Sequence, residues 1–298
     1  ISKYPGTGLL QKKDVNKMKN LTKLACKSAC LLLLSIFLFG SCTPQYPGGH
    51  LPESVNNPFR VVQIVTDTLF NSQQRISILT LDKGSHRRYR IDFAYQTSEL
   101  LKTSRIAESM GAVAAINGGF FDMDNGGSVT YFEKNDSIVS RTRSSEFKWA
   151  VPDSLVNGAI LLNKNHGLEI EAANSEQYYE SSNREAFVMI SGPLLISDSK
   201  SQKLPDMSFT NMRHPRSCVG ITKESIIFIV VDGRSEQAAG MSLIELQEYM
   251  LELACIDAIN LDGGGSSSLW TLDKGLINVP SDKTGERPVA NAILIMEE

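Results

Sequence analysis

The segment AINLDGGGSSSLW, Ala258–Trp270, joins an apolar run to a carboxylate, three glycines and three serines before it becomes apolar again. Apolar runs bounded by glycine and serine are typical of short buried strands separated by a loop. A two-residue hairpin turn needs only one or two glycines, so Gly263, Gly264 and Gly265 favour a loop in which a ligand approaches the backbone. Consecutive backbone N–H groups in such a loop can bind an anion. The segment therefore predicts a strand, a binding loop and a second strand.

Short β-branched runs separated by turn residues extend through most of the chain and predict a strand-rich domain. Two stretches show helical spacing instead: residues 97–111, ending at Gly111, and a second that begins with Ser242 and its capping partner Glu245. We expect an α+β fold with a strand-rich mixed sheet, about two substantial helices and a single domain. The predicted strands are FRVVQIVT (59–66), RISILTL (75–81), SVTYFE (128–133), AFVMI (186–190), SIIFIVV (225–231) and ANAILIM (290–296).

Composition and charge exclude several classes of protein. The chain has 298 residues, 42 % of them hydrophobic and 21 % charged, and a formal net charge of -3. This is enough apolar material for one large domain or two small ones. No basic stripe occurs, so nucleic acid is not an expected partner. The chain contains no P-loop or dinucleotide motif, so nucleotide binding is not expected from motifs either.

The N-terminal region has the pattern of an exported bacterial lipoprotein. After Met18, three lysines precede the apolar run LLLLSIFLFGSC, Leu31–Cys42. A basic region, a short apolar core and small residues before a cysteine are typical of such signals, and they predict a lipid anchor on Cys42. An uncleaved membrane helix is the alternative, but about 12 apolar residues are short for a span of about 20. The predicted segments are a signal segment within residues 1–41, a linker over 42–58 and a folded domain over 59–298.

Four segments concentrate glycines, carboxylates and arginines beside predicted strands. AAINGG (114–119) repeats the order of AINLDGGG (258–265), and we expect the two strands to end at the same edge of one sheet, where binding clefts tend to lie. The four segments are INGGFFD (116–122), RHPRS (213–217), VVDGRSEQAAGMS (230–242) and NLDGGGSSS (260–268).

The charged residues of these segments have a functional and a structural interpretation. Asp232 and Asp262 each end an apolar run and precede glycine. They are either turn aspartates that cap their own backbone or a carboxylate pair across a cleft, as glycoside hydrolysis requires. Arginines in these segments offer a planar fork that suits phosphate oxygens, although a surface ion pair is the simpler role for any one of them.

A calcium site is a weaker hypothesis for DMDNGGSVTYFE, residues 122–133. Asp122, Asp124 and Glu133 occupy the spacing of an EF-hand loop, but Gly126 replaces a ligand and no helical pattern flanks the segment. A plain turn between strands is favoured, and no cofactor is expected. Outside the signal region and Cys42, the remaining cysteines are Cys218 and Cys255, which form either one disulfide or two free buried thiols.

The four segments together resemble the phosphodiester glycosidase family. The resemblance lies in INGGFF, RHPRS.VGIT, VVDGRS…GMSLIEL and AINLDGGGSSSLW, while RPVANAILI (287–295) resembles the last strand of the family, and it covers about residues 85–298. It implies an enzyme with a carbohydrate phosphodiester as substrate, which would release a free sugar from a sugar-1-phosphate and leave a phosphomonoester. A lipoprotein that binds an anionic sugar or cell-wall glycan without cleaving it is the alternative.

The resemblance marks the segments, and position within them suggests the roles. Asp262, beside the glycines, is the leading catalytic carboxylate, and Asp232 is its partner. Which of the two is nucleophile and which is acid or base is left open. The expected substrate-binding residues are Asn117, Gly118, Gly119, Arg213, Arg216, Arg234, Asn260, Gly263, Gly264, Gly265 and Ser266.

Overall fold

The computed structural model describes residues 58–86, 88–165 and 167–298. The predicted signal segment, the lipid anchor on Cys42 and the linker up to residue 57 lie outside these residues. Within the described part of the chain, no helix is long and apolar enough to cross a membrane. Its α-helices are α1 Thr103–Met110, α2 Glu176–Ser181, α3 Ser208–Asn211 and α4 Leu243–Glu252.

Strands make up most of the regular structure in the described residues. In chain order they are β1 Phe59–Thr66, β2 Gln74–Asp82, β3 Tyr89–Tyr95, β4 Leu101–Lys102, β5 Ala114–Asn117, β6 Phe132–Lys134, β7 Ser137–Ser140, β8 Gly158–Asn163, β9 Leu168–Ala172, β10 Glu185–Ser191, β11 Leu194–Ser197, β12 Lys200–Ser201, β13 Arg216–Ile221, β14 Ser225–Val231, β15 Asp257–Asn260, β16 Leu269–Thr271, β17 Gly275–Leu276, β18 Pro288–Val289 and β19 Asn291–Glu297.

The strands form three large sheets and one small one. A seven-stranded sheet has the order β1-β2-β14-β13-β15-β11-β12, and a five-stranded sheet has the order β7-β6-β10-β8-β9. A second five-stranded sheet has the order β17-β16-β5-β19-β3, and β18 pairs with β4. Neighbouring strands in these sheets pair antiparallel. The strand-rich α+β class is confirmed, with antiparallel strand directions where a mixed sheet was expected.

The three large sheets share one apolar core. Phe228 of the seven-stranded sheet, Phe187 of β10, and Phe93 and Ile293 of the second five-stranded sheet belong to the same buried cluster. The rings of Phe93 and Phe187 stack with their centroids 3.5 Å apart. Because burial of apolar surface is the main force that stabilises a fold, this cluster fixes how the sheets meet and therefore where their loops lie.

The helices cover the outer faces of the sheets. Leu243, Leu246 and Met250 of α4 are buried against the seven-stranded sheet. The predicted capping box is confirmed, because Ser242 Oγ accepts from Glu245 N at 3.1 Å while Glu245 Oε2 accepts from Ser242 N at 2.9 Å. Such a box satisfies two N–H groups that a helix start would otherwise leave unpaired.

Two elements are shorter than their sequence patterns predict. Helix α1 begins only at Thr103, because Leu101 and the residue after it pair with β18 as strand β4. Its predicted end is confirmed, since Gly111 adopts a left-handed conformation with φ 69°. Met110, which the helical spacing of residues 97–111 places on the apolar face, is 45 % exposed. The strand expected over 128–133 is confined to β6, and Ser128 forms only an isolated bridge.

Candidate functional site

The glycine loop, defined here as Gly263–Gly265, lies where two different sheets end. β5 belongs to a five-stranded sheet and β15 to the seven-stranded sheet, so the expectation of a single sheet edge is wrong. The two strand ends still meet, because both sheets pack on the shared core. Asp262 N donates to Gly118 O at 3.1 Å, and Asn117 Nδ2 donates to Asp262 O at 2.7 Å.

The two arginine segments also reach the glycine loop. Gly264 N donates to Pro215 O at 2.9 Å, which ties the loop to the RHPRS segment. A Cβ atom at Gly264 would lie 3.0 Å from Arg234 Nη2, so the guanidinium of Arg234 packs on the loop. The structure therefore brings all four sequence segments together around the same three glycines.

Close neighbours explain why glycine is needed at Gly265 in the glycine loop and at Gly118 in the INGGFFD segment. A Cβ atom at Gly265 would lie 2.1 Å from Arg287 Nη2 and 2.2 Å from Asp282 Oδ1. A Cβ atom at Gly118 would lie 2.0 Å from Asn291 Oδ1. Any side chain here would displace a polar group, which agrees with the predicted close approach.

Three residues of this arrangement were absent from the sequence-based site. Arg287 Nε and Nη2 donate to the carboxylate of Asp282 at 2.8 and 3.0 Å. Asn291 Oδ1 accepts from Gly119 N at 2.6 Å. Arg287 and Asn291 lie within RPVANAILI, so the resemblance contained them, but that segment was interpreted only as a strand. Asp282 lies before RPVANAILI in the chain and belongs to none of the recognised sequence motifs.

The amides of the glycine loop are largely used within the protein. Gly263 N donates to Asp262 Oδ1 at 3.0 Å, and the amide of Gly264 is bonded to Pro215. Among the described residues, the amide of Gly265 has no hydrogen-bond acceptor. The positive charge beside the loop therefore comes mainly from Arg234 and Arg287, rather than from a row of free amides.

Asp262 combines partial burial with nearby hydrogen-bond donors. Burial raises the pKa of Asp262 to about 6, although the Ser266 side chain, the charge of Arg287 and the Gly263 amide each act to lower it. A carboxyl group with this pKa changes charge near neutral pH, which suits proton transfer. The side chain faces a cavity of about 250 Å³. Besides Asp262 and Arg287, its lining includes the aromatic residues Phe120, Phe121, Trp149 and Phe209.

Asp232 faces a different cavity. It is only 3 % exposed, it accepts from Val279 N at 3.1 and 3.2 Å, and Arg75 Nε lies 4.0 Å away. Burial raises the pKa of Asp232 to about 6, against the opposing effect of these donors and of Asn278. Its cavity of about 360 Å³ is also lined by Arg234. Arg234 thus contacts the glycine loop from the Asp232 cavity, as Arg287 does from the Asp262 cavity.

Arg216 is held inside the protein. It is 1 % exposed, its Nε donates to Met241 O at 2.9 Å, and its Nη2 donates to Phe209 O at 2.7 Å and Met212 O at 2.9 Å. Burial, together with the charge of Arg234, lowers the pKa of Arg216 to about 10. Its contacts fix the RHPRS segment, so Arg216 has a structural position rather than the predicted contact with phosphate.

The other predicted polar contacts also have partners within the protein. Arg213 forms an ion pair with Glu245 of the capping box. Asn117 Oδ1 accepts from Ser217 Oγ at 2.7 Å and from Ser268 N at 3.1 Å. Asn260 is fully buried, and its Nδ2 donates to the carbonyls of Gly192 and Leu261 at 2.8 and 2.6 Å. The structure places these side chains behind the loops, in positions where they orient the backbone.

The acidic residues of the calcium hypothesis do not come together. Asp122 Oδ2 accepts from Arg143 at 2.6 Å, Asp124 pairs with Lys148, and Glu133 accepts from Tyr131. Within the described part of the chain, no group of three or more His, Cys, Asp or Glu residues is arranged to hold a metal ion. Asp122 Oδ1 instead accepts from the backbone amides of Asp124 and Asn125, as the plain-turn interpretation expects.

The two described cysteines are free thiols, and both are buried. Of the two interpretations of the sequence, the structure agrees with unpaired thiols for Cys218 and Cys255.

The described residues form a strand-rich α+β domain in which carboxylates and arginines lie around glycine loops. The chain belongs to the phosphodiester glycosidase family, whose model matches residues 110–296. It is 28 % identical over 188 residues to the bovine N-acetylglucosamine-1-phosphodiester alpha-N-acetylglucosaminidase, covering 59 % of this chain and 34 % of the bovine sequence. The human enzyme of the same name is 27 % identical over 193 residues, covering 61 % and 35 %. The chain thus spans about a third of the length of these relatives.

Solved structures show the same fold. The catalytic domain of the zebrafish enzyme of that name, auto-inhibited by its pro-peptide, superposes with a TM-score of 0.61 at 19 % identity, covering 82 % of this chain and 86 % of the zebrafish chain. A hypothetical protein from Synechocystis superposes with a TM-score of 0.57 at 17 % identity, covering 80 % and 62 %. At these identities the likeness concerns the fold.

Proposed function

We propose that this chain hydrolyses a sugar-1-phosphate diester, releasing a free sugar and leaving a phosphomonoester on the acceptor. The observation that carries the proposal is that Asp262 and the guanidinium of Arg287 share an aromatic-lined cavity. Apolar walls with a few placed polar groups suit a sugar ring, while a guanidinium suits the phosphate attached to it. Membership of the phosphodiester glycosidase family supports the same reaction.

The phosphate is assigned to the two guanidinium groups that pack on the glycine loop. Arg287 lies against Gly265, and Arg234 lies against Gly264. No carboxylate of the described residues lies within 4.0 Å of Arg234, so its charge is available to an anion. The amide of Gly265, which has no acceptor among the described residues, offers a third donor.

This assignment replaces Arg216 with Arg287, because Arg216 is buried and its donors serve backbone carbonyls. Arg287 is partly exposed, and its Nε and Nη2 bond Asp282. Its Nη1 has only long contacts, at 3.4 Å to Ser266 Oγ and 3.9 Å to Met123 Sδ, so Nη1 is the donor left for phosphate.

The reaction requires little proton donation to the leaving group. Water adds to the anomeric carbon, the bond from that carbon to the phosphate oxygen breaks, and its electron pair stays on the phosphate. Because the second pKa of a phosphate is about 6, the departing group is stable as an anion. Ionised Asp262 accepts the proton of the attacking water, or attacks the carbon first and is then released by water. Asp232, when protonated, is an acid that lines the neighbouring cavity together with Arg234.

We further propose that the protein is exported and attached to a bacterial cell envelope through Cys42. The support is the sequence pattern of residues 18–42, which is independent of the site.

Product analysis tests the proposed reaction. The full chain is incubated with UDP-N-acetylglucosamine and with a sugar-1-phospho-sugar diester. The expected result is free sugar from the wild type and a loss of at least about 100-fold in Asp262→Asn, as for other placed catalytic groups. Asp273→Asn is the matched control, because Asp273 is exposed in the turn between β16 and β17. Saturable binding of phosphosugars without any product would instead favour the non-catalytic alternative.

A further inference from the structure

A larger cavity lies beside the Asp262 cavity and takes no part in the reaction described above. Its volume is about 650 Å³, against about 250 Å³ for the Asp262 cavity. Trp149 lines both cavities. One sugar ring fills only part of the combined space, so the arrangement offers room for a longer ligand that passes Trp149.

Two chain segments form the partition between these cavities. In the first segment, Phe121 and Met123 line the Asp262 cavity, whereas Asp122 and Asp124 line the larger one. In the second segment, Phe147 and Lys148 line the larger cavity and Ala150–Pro152 line the Asp262 cavity. Trp149 lies between these two groups of residues in the second segment and lines both cavities. The two cavities therefore adjoin at Trp149, the one described residue that lines both.

Trp149 is held in place at some conformational cost. Its φ is 67°, a left-handed conformation that a bulky residue rarely adopts. The ring is fixed by a hydrogen bond from Nε1 to Asp124 Oδ2 at 2.9 Å and by Lys148 Nζ at 5.2 Å from the ring centroid. Backbone strain of this kind persists where the surroundings enforce it, and it concentrates at ligand sites.

The charges that line the larger cavity are neutralised by the protein itself. Arg143 pairs with Asp122 at 2.6 Å, and Lys148 pairs with Asp124 at 2.6 Å. Arg141 pairs with two glutamates of α2. A phosphate or nucleotide would have to displace these carboxylates, so the cavity suits a neutral ligand. Arg234, at the glycine loop, has no carboxylate partner among the described residues and is therefore suited to an anion.

The uncharged part of the lining has the character of a carbohydrate site. Ser140, Thr142 and Ser144 line the cavity together with Phe147 and Trp149. Each of the three hydroxyls makes one hydrogen bond within the protein and can make another. The Phe147 side chain is 61 % exposed, so its ring is accessible to a ligand in this cavity. Hydroxyls can both donate and accept, and flat aromatic surfaces match the C–H faces of sugars.

We propose that the larger cavity is a subsite for a second, neutral sugar unit, so that the sugar released from phosphate is the end of an oligosaccharide. This inference rests on the proposed function of the Asp262 cavity. The subsite selects the substrate by chain length and takes no part in breaking the bond to phosphate.

The test compares substrates that differ by one sugar. The full chain is given UDP-N-acetylglucosamine and three UDP-disaccharides in which a second N-acetylglucosamine is attached to O3, O4 or O6 of the first. At least one disaccharide is expected to have a KM about tenfold lower, with kcat changed less than twofold. Phe147→Ala should remove this preference. Leu272→Ala, which truncates another exposed apolar side chain, should keep it.

A fluorescence titration separates failure of the subsite from failure of the reaction. The chain has two tryptophans, of which Trp270 is buried and Trp149 is partly exposed, so a change on adding phosphate-free disaccharides of the same three linkages reports Trp149. A saturable change that Phe147→Ala abolishes supports the subsite even if no substrate is hydrolysed, a result that would reject the proposed function alone. Hydrolysis without any preference for a disaccharide, or a preference that survives Phe147→Ala, would overturn the subsite.

Discussion

Gly265→Ala should separate activity from stability. The new Cβ atom would lie 2.1 Å from Arg287 Nη2, whereas ordinary contact begins at 3.4 Å, so the guanidinium must retreat by about 1.3 Å (3.4 − 2.1). The carboxylate of Asp282, at 2.2 Å, must move by a similar distance. A displacement of about 1 Å in a group that positions substrate can reduce the rate about 100-fold. We therefore expect kcat/KM to fall by about two orders of magnitude.

The same substitution should have little effect on folding. Both displaced atoms are ends of side chains, and the φ of Gly265 lies outside the left-handed range, so alanine is sterically allowed in the backbone. Alanine also restricts the unfolded chain, which by itself stabilises by about 0.4–1 kcal/mol. The free energy of unfolding should therefore change by about 1 kcal/mol or less.

The assay measures kcat/KM with the diester identified by product analysis and the melting temperature of the same samples. Gly84→Ala is the matched control, because nothing lies within 4 Å of its Cβ position. Wild-type kcat/KM in a folded Gly265→Ala variant would refute the assignment of Arg287 to the phosphate. A large drop in melting temperature would refute the view that the loop tolerates the methyl group.

Three further predictions follow from buried polar groups. Burial raises the pKa of Asp232 to about 6, so between about pH 4 and 6 the folded state retains a proton that the unfolded state releases, and stability falls as pH rises; Asp232→Asn should reduce that fall in urea unfolding, and an unchanged slope would contradict the shift. Activity should instead rise through about pH 6 as Asp262 ionises, and a flat rate profile from pH 5 to 7 would argue against its role. Arg216→Met removes three buried hydrogen bonds to the carbonyls of Phe209, Met212 and Met241, of which the last keeps His214 N as a donor, and should lower the free energy of unfolding by about 2–4 kcal/mol, whereas a change below about 1 kcal/mol would show that water replaces the donor.

Local sequence patterns predicted strands and helix ends correctly where the deciding interactions are burial of a whole run or hydrogen bonds between near neighbours in the chain. The run Ser225–Val231 is a strand with the predicted bounds, because the six consecutive apolar residues that follow Ser225 are all buried and leave no exposed polar face. Ser242 and Glu245 defined a helix start, because their capping bonds span only three residues. The start of α1 was missed because Leu101 pairs with Val289, a partner far away in the chain.

The site was harder to predict because a sequence motif does not show whether its polar side chains are buried in the folded protein. Arg216 and Arg234 both lie beside turn residues, yet the first is enclosed by carbonyls and the second is exposed. Asn117 and Asn260 are polar residues at strand ends, as a substrate ligand would be, but the backbone of neighbouring loops uses their amides. Asp282 and Arg287 meet at the glycine loop only after the sheets have packed together.

The main-chain attachment of the Asp262 loop has a consequence for how such a protein can diversify. Asp262 N bonds to Gly118 O, and Gly264 N bonds to Pro215 O, so the backbone that carries the Asp262 carboxylate is positioned by peptide groups that every sequence possesses. Side chains such as Phe147 project from another segment and contribute nothing to that positioning. Under the proposed function, mutations in those residues of 141–148 that line the larger cavity alone would alter which glycan is accepted without moving the Asp262 loop. Within this architecture, new specificities are accessible by single substitutions that selection can test one at a time.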